Sequence, residues 1–298
     1  SEFETNTFEA RLVSSGDGPI EWIAGIWYEK EEGGKAPETI MVQTPRSDLE
    51  VFGCCALANG DFLWDHEFFD DQEELAFYGE VGFRFTNKAK LTVGYRRADL
   101  ELDSGVIRAD GIFDGGAAVA IGVDEGTQED VNTYKIHLEY TVNDDILAYA
   151  LASSGYRAGG FNRSGFSLVS KASAYESDSL WNYEVGVRTS WFDNRLITNA
   201  VVYYIDWSDI QLRTYDVESL SQKIQNAGEA GNFGLEAEIS YQATESLQLS
   251  VNYAYTDASL TKDFLSAETD PPTVLATDGD RLPGSSKHAF SLFIDWQN

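Results

Sequence analysis

The chain has 298 residues, with 21 Lys and Arg against 50 Asp and Glu, a formal net charge of −29. That balance excludes nucleic acid as a partner and excludes a basic anchor on anionic lipid, because both need clustered cations. Phe 17, Tyr 15 and Trp 7 supply β-forming aromatics, and Gly 26 against Pro 6 suits a chain with many turns.

Strands are predicted over 6–14, 20–30, 74–86, 90–102, 131–142, 146–156, 179–192, 195–213, 222–243, 247–258 and 286–297, with no helix of useful length. No apolar run approaches the roughly 18 residues of a transmembrane helix, a limit that does not apply to a barrel, whose strands need only about 9–11. Alternation carries these assignments, because successive side chains of a strand point to opposite faces. Leu75, Phe77, Val81, Phe83 and Phe85 oppose Glu80, Arg84 and Thr86. Tyr134, Ile136, Leu138 and Tyr140 oppose Lys135, His137, Glu139 and Thr141. Trp181, Tyr183, Val185, Val187 and Trp191 oppose Asn182, Glu184, Arg188 and Ser190. Phe233 to Tyr241 and Leu247 to Tyr255 repeat the pattern.

A soluble antiparallel sheet alternates too. Two features favour a membrane. Aromatics cluster near the ends of the apolar faces, where an interfacial girdle places them, and the polar faces carry full charges in mid-strand, which a dry interior would not hold unpaired. Connections add a third. Short turns at Gly16–Pro19, Asn87–Ala89, Asn143–Asp145, Asp193–Arg195 and Thr244–Ser246 alternate with long polar links at Glu31–Asp71, Asp103–Asp130, Ala158–Asp178, Tyr215–Gln222 and Ser259–Ser285. Outer-membrane barrels keep such parity because tight turns lie on the periplasmic rim and long loops on the other. A Greek-key sandwich has no reason to. The expected links and their flanks hold most of the unpaired acidity, for example Asp65, Glu67, Asp70, Asp71, Glu73 and Glu74.

Several segments resemble the barrel of TonB-dependent outer-membrane receptors, in the iron-complex subgroup. Ser154-Gly155-Tyr156-Arg157-Ala158-Gly159-Gly160-Phe161-Asn162 is similar to its "GYRAGGFN" segment, and Leu180-Trp181-Asn182-Tyr183-Glu184-Val185-Gly186 to its "LWNYELG" strand. Tyr203 to Gln211, Asn226-Ala227-Gly228, Gly234 to Glu238 and Arg281 to His288 follow in the family's order. The resemblance implies an all-β, antiparallel transmembrane β-barrel of which residues 1–298 supply about eleven of 22 strands. No plug segment, TonB box or terminal strand ending in Phe is found in the sequence. The beginning of the chain, Ser1 to Asn6, has neither the basic start nor the apolar run of a signal peptide.

The resemblance also implies a function. A receptor in the outer membrane of a Gram-negative bacterium captures a scarce nutrient and admits it when a TonB complex displaces the plug. A ferric siderophore is the cargo favoured by the subgroup, with haem, cobalamin and oligosaccharide open. Ligand contacts are expected from the link residues Trp64, His66, Phe68, Phe69, Arg108, Arg157, Asn162, Arg163 and Phe166. Arg157 has a second reading, with Gly159-Gly160, as a shaper of the strand exit. Glu184, Arg188, Glu236 and Glu238 are expected to line the lumen or meet the plug, or to pair among themselves. A passive porin and a soluble β-sheet binding module are the alternatives. No cofactor, metal site or catalytic residue is expected. His66, His137 and His288 stand far apart, without HExxH, GxSxG, an EF-hand or a nucleotide-binding glycine loop. Cys54-Cys55 lacks metal-ligand spacing and fits either a vicinal disulfide or two inert thiols.

Overall fold

The computed structural model describes residues 3–16, 18–41, 62–111, 123–162, 173–216, 221–226, 228–265 and 273–297. In chain order the strands are β1 (Phe3–Val13), β2 (Ile20–Met41), β3 (Phe62–Arg84), β4 (Ala89–Gly111), β5 (Val123–Asn143), β6 (Ile146–Arg157), β7 (Gly160–Asn162), β8 (Ser173–Tyr175), β9 (Asp178–Trp191), β10 (Leu196–Ser208), β11 (Gln211–Asp216), β12 (Ser221–Asn226), β13 (Glu229–Thr244), β14 (Leu247–Leu260), β15 (Phe264–Leu265), β16 (Val274–Ala276) and β17 (His288–Trp296). Eleven form one antiparallel sheet in the order β1-β2-β3-β4-β5-β6-β9-β10-β13-β14-β17. The pairs β7–β8, β11–β12 and β15–β16 are separate hairpins set into the long connections. Among the described residues β1 pairs only with β2 and β17 only with β14, so both edges of the large sheet are open.

Register makes each strand's alternation a property of the whole sheet, because residues directly opposite each other share a face. Leu91 faces Leu138, Leu138 faces Ala150, Ala150 faces Val185, Val185 faces Val202, Val202 faces Leu235 and Leu235 faces Tyr255. These side chains meet no second layer. Val185 is 64% exposed and Leu292 55%. Among the described residues the buried apolar core is limited to Ala76, Ala98, Leu100, Ile210, Ala230, Ala258, Leu260 and Phe264, far too little to hold a soluble domain of this length together. A sandwich is thereby excluded, and the apolar face is the lipid face.

Trp181 and Trp191 bracket that face on β9, about 33 Å apart along the strand and about 25 Å along the normal at a tilt of about 40°. Beyond the upper aromatics the same row turns polar at once. On β4, Arg97 follows Tyr95 and pairs with Asp130 at 2.7 Å. Asp206 follows Tyr204, and Asp257 follows Tyr255. Tyr134 stacks on Trp181 at 6.2 Å across the small residues of β6, and Trp181 on Tyr183 at 6.1 Å, forming part of the girdle.

Several short turns are closed by their own polar residues. The Thr86 hydroxyl accepts the amides of Lys88 and Ala89, and Asn143 Oδ1 accepts the amide of Asp145. At the β9–β10 turn Phe192, Asp193 and Asn194 take positive φ, and Arg195 donates to the carbonyls of Gln242 and Ala243 in the adjacent turn.

Two expectations need correction. The links Glu31–Asp71 and Asp103–Asp130 are not loops throughout, since β2 runs to Met41, β3 begins at Phe62, β4 runs to Gly111 and β5 begins at Val123. Above the bilayer both faces of a hairpin are wet, so the ladder continues while the apolar alternation stops. The expected strands 195–213 and 222–243 are each broken. Asp209, at φ +55°, ends the wall strand, and residues from Gln211 on belong to the separate β11–β12 hairpin.

Candidate functional site

Three connections on one rim, between β6 and β9, β10 and β13, and β14 and β17, converge over the polar face. At their base Asp178, only 2% exposed, accepts bonds from Arg157 Nε at 3.1 Å, from the same guanidinium's Nη2, and from the main-chain amide of Gln211 at 3.0 Å. The Arg157 guanidinium also lies 5.3 Å from the Trp207 ring centroid. Gln211 Nε2 donates to the carbonyls of Ala158 at 2.8 Å and Glu176 at 3.0 Å. A buried carboxylate must be paired or hydrogen-bonded to stay charged, and Asp178 is both.

Beside this polar node lies the principal apolar cluster. Ile210, Ala230, Leu260 and Phe264 are buried together, with Trp207, Leu212, Ala276 and Leu282 packed around them. Ala230 and Leu260 sit on the polar face of their strands, so the cluster roofs the inner side of the sheet rather than its lipid side. The β11–β12 and β15–β16 hairpins meet there.

Below the roof the inner wall is charged and partly paired. Lys135 meets Glu80 at 2.8 Å, and Glu21 binds both Lys90 and Arg84 at 2.7 Å. Further round, a depression of ≈ 580 Å³ is lined by Tyr149, Glu184, Arg188, Tyr203, Glu236 and Glu238 among others. Glu184 accepts the Tyr149 hydroxyl at 2.5 Å, Glu238 accepts Asn199 Nδ2 at 3.2 Å, and the Arg188 guanidinium lies over the Tyr149 ring at 5.4 Å. Among the described residues none of the three glutamates has a salt-bridge partner.

The four residues expected to line the lumen, Glu184, Arg188, Glu236 and Glu238, are therefore gathered in one place. Of the nine expected ligand contacts, the side chains of Phe69, Arg157 and Asn162 are among the described residues. Arg157 and Asn162 lie at the mouth, each bonded to a neighbouring segment: Arg157 to Asp178, and Asn162 to Ile224 at 2.7 Å. Phe69 is half-buried on β3, opposite Gly105. Trp64, His66, Phe68 and Arg108 stand on the β3–β4 hairpin rather than in a loop, and their side chains lie outside the described residues, as do Arg163, Phe166 and Cys54-Cys55 altogether. Sequence reasoning missed Asp178, Gln211 and Asn226. The available signal was their position in or beside the family-like segments, at the junctions of strand and link.

A family model described as "TonB dependent receptor-like, beta-barrel" matches residues 58–298, the greater part of the chain. The chain belongs to the TonB-dependent receptor β-barrel family. Its members are outer-membrane barrels of Gram-negative bacteria and act as transport receptors, not enzymes. Among curated relatives of this TonB-dependent receptor barrel, the metal-pseudopaline receptor CntO of Pseudomonas aeruginosa is 29% identical over 160 residues, 54% of this chain and 20% of the relative. Among solved structures, the ferric yersiniabactin uptake receptor FyuA of Yersinia pestis superposes with a TM-score of 0.74 at 16% identity, covering 99% of this chain and 40% of that one. The siderophore receptor PiuA of Acinetobacter baumannii gives 0.69 at 16% identity, with 99% and 44% covered, and the ferric-catecholate import receptor Fiu of E. coli K12 0.68 at 18% identity, with 99% and 42%. The chain thus spans a fifth of the curated relative and about two fifths of the solved receptors.

Proposed function

We propose that this chain forms wall and mouth of an outer-membrane importer for a ferric siderophore, driven by TonB-coupled movement of a plug. The inner wall carries the reading. Glu184, Glu236 and Glu238 face the lumen without a cationic partner among the described residues, around a depression large enough to take side chains from a second body. A water-filled pore would leave these carboxylates hydrated. A plug with basic groups would neutralise them, and its displacement would be what energy coupling has to accomplish. Two of the named receptors of like fold, for ferric yersiniabactin and ferric catecholates, support a chelated metal as cargo. On this reading the chelate is met at the mouth by Trp64, His66, Phe68, Phe69, Arg108, Arg163 and Phe166, while Arg157 and Asn162 hold the segments around it.

The test is uptake of radiolabelled iron supplied with a panel of siderophores to cells carrying the complete receptor, with and without functional TonB. Accumulation of one chelate that disappears with TonB is expected. Equal accumulation in both strains would favour a passive pore, and accumulation of none would remove the siderophore assignment.

A further inference from the structure

Two of the segments through which the sequence resembles its family, Ser154 to Asn162 and Asn226 to Gly228, place an asparagine at the end of a strand on each of two different hairpins, Asn162 on β7 and Asn226 on β12. The structure brings them together. At the end of β7, Asn162 faces Ile224 of β12: its Nδ2 donates to the Ile224 carbonyl at 2.7 Å and its Oδ1 accepts the Ile224 amide at 2.6 Å. At the end of β12, Asn226 does the same in the opposite sense. Its Nδ2 donates to the Glu176 carbonyl at 2.9 Å, and its Oδ1 accepts the Glu176 amide at 2.9 Å. A second Nδ2 contact reaches the Asp209 carbonyl at 2.8 Å.

An asparagine amide carries one donor side and one acceptor side, as a peptide group does. Each of these two therefore replaces one rung of a β-ladder that the hairpins themselves do not form, since β7–β8 and β11–β12 belong to separate sheets. Lifting either hairpin alone would break both forks, freeing the exposed main-chain groups of Glu176 and stranding those of Ile224 in a half-buried position, where an unpaired amide is costly.

We propose that β7–β8 and β11–β12 are a single cooperative opening unit over the barrel mouth, latched by Asn162 and Asn226, so that neither hairpin lifts without the other. Asp178 and Gln211 fix its base to the wall at β6 and β9. The inference rests on the chain being a receptor barrel but not on its cargo, and the test needs no ligand, so its outcome is independent of the uptake experiment.

Hydrogen exchange is measured by mass spectrometry on the complete receptor in lipid nanodiscs. Asn226→Ala is expected to accelerate exchange in the partner segment 173–176 about tenfold, and Asn162→Ala to do the same in 221–226, with the wall strands β9 and β10 unchanged. Acceleration confined to the hairpin that carries the substitution overturns the proposal. If Asn226→Ala fails to give a heat-modifiable barrel, Asn162→Ala, farther from the wall, makes the same comparison alone. Asn162→Asp keeps the acceptor and loses the donor, so it is expected to fall between wild type and alanine.

Discussion

Tyr149 lies against Gly186 of the neighbouring strand so closely that a Cβ on Gly186 would stand 2.4 Å from the ring's Cζ. The two are register partners on the inner face, and the ring is held there by its hydroxyl, which donates to Glu184 at 2.5 Å. Tyr203 over Gly234 and Tyr78 over Gly25 repeat the arrangement, so the tyrosines lie along the wall and the glycines leave the space for them. Gly186→Ala is expected to push the ring off, break its bond to Glu184 and destabilise the barrel by ~1–3 kcal/mol, as overpacking does. Urea unfolding of the complete receptor in lipid measures this. Adding Tyr149→Ala should relieve the steric part of the loss, and a midpoint unmoved by Gly186→Ala would contradict the close fit.

The two faces of β14 should respond oppositely to charge. Val251 lies between Ile239 and Leu292 in the lipid-facing rows, whereas Asn252 faces the lumen and donates to Ser291 Oγ at 3.3 Å. Val251→Arg is expected to cost ~2–4 kcal/mol near the bilayer midplane, and Asn252→Arg much less. Folding titrations into vesicles compare the two, and similar losses would mean that the faces are wrongly assigned.

Asp178 should matter to the mouth and not to the wall. Removing its carboxylate in Asp178→Ala leaves the Gln211 amide and the Arg157 guanidinium without their shared acceptor, a loss of ~1–3 kcal/mol in local stability. Limited proteolysis should then cut the connections after β6 and β10 faster while the heat-modifiable band persists. Asp178→Asn, which keeps an acceptor for Gln211, is expected to recover part of the resistance. An unchanged digestion pattern for Asp178→Ala would deny it this role.

One pH effect has a clear sign. The Thr277 main-chain amide, and next its hydroxyl, donate to Asp280 at 2.8 and 3.0 Å, holding this carboxyl below its ordinary value against a smaller opposing effect of burial. A lowered folded-state value means that the turn is stabilised above the unfolded-state pKa and loses that support as pH falls through the folded-state pKa. Exchange at the Thr277 amide should therefore show an additional acceleration at acid pH that Asp280→Asn abolishes. The same acid response in both proteins would rule out Asp280 as its source.

Much of the wall was legible because lipid on one side and water on the other impose a period of two on every strand. All eleven predicted strands have a counterpart in the large sheet, and the short turns fall where Gly, Asn, Asp and Thr place them. Legibility ended at the rim. From Glu31 to Met41 and from Phe62 to Asp71 the sequence keeps no apolar–polar alternation, so the strand persists without a pattern to announce it. The break at Asp209 was hidden because a single left-handed residue leaves the surrounding β-rich composition unchanged. The Asp178 node was out of reach for another reason. Its partners Arg157, at the end of β6, and Gln211, at the start of β11, are far apart in sequence, and only the packing of the hairpins brings them to one carboxylate.

The asparagine forks between the two hairpins grip peptide groups, not side chains: Asn162 holds the amide and carbonyl of Ile224, and Asn226 those of Glu176. Residues 176 and 224 are accordingly free to drift through evolution without unfastening anything, while the two asparagines are not. A receptor built this way can retune the chemistry it shows to the outside world over many generations and keep the same mechanical joint throughout.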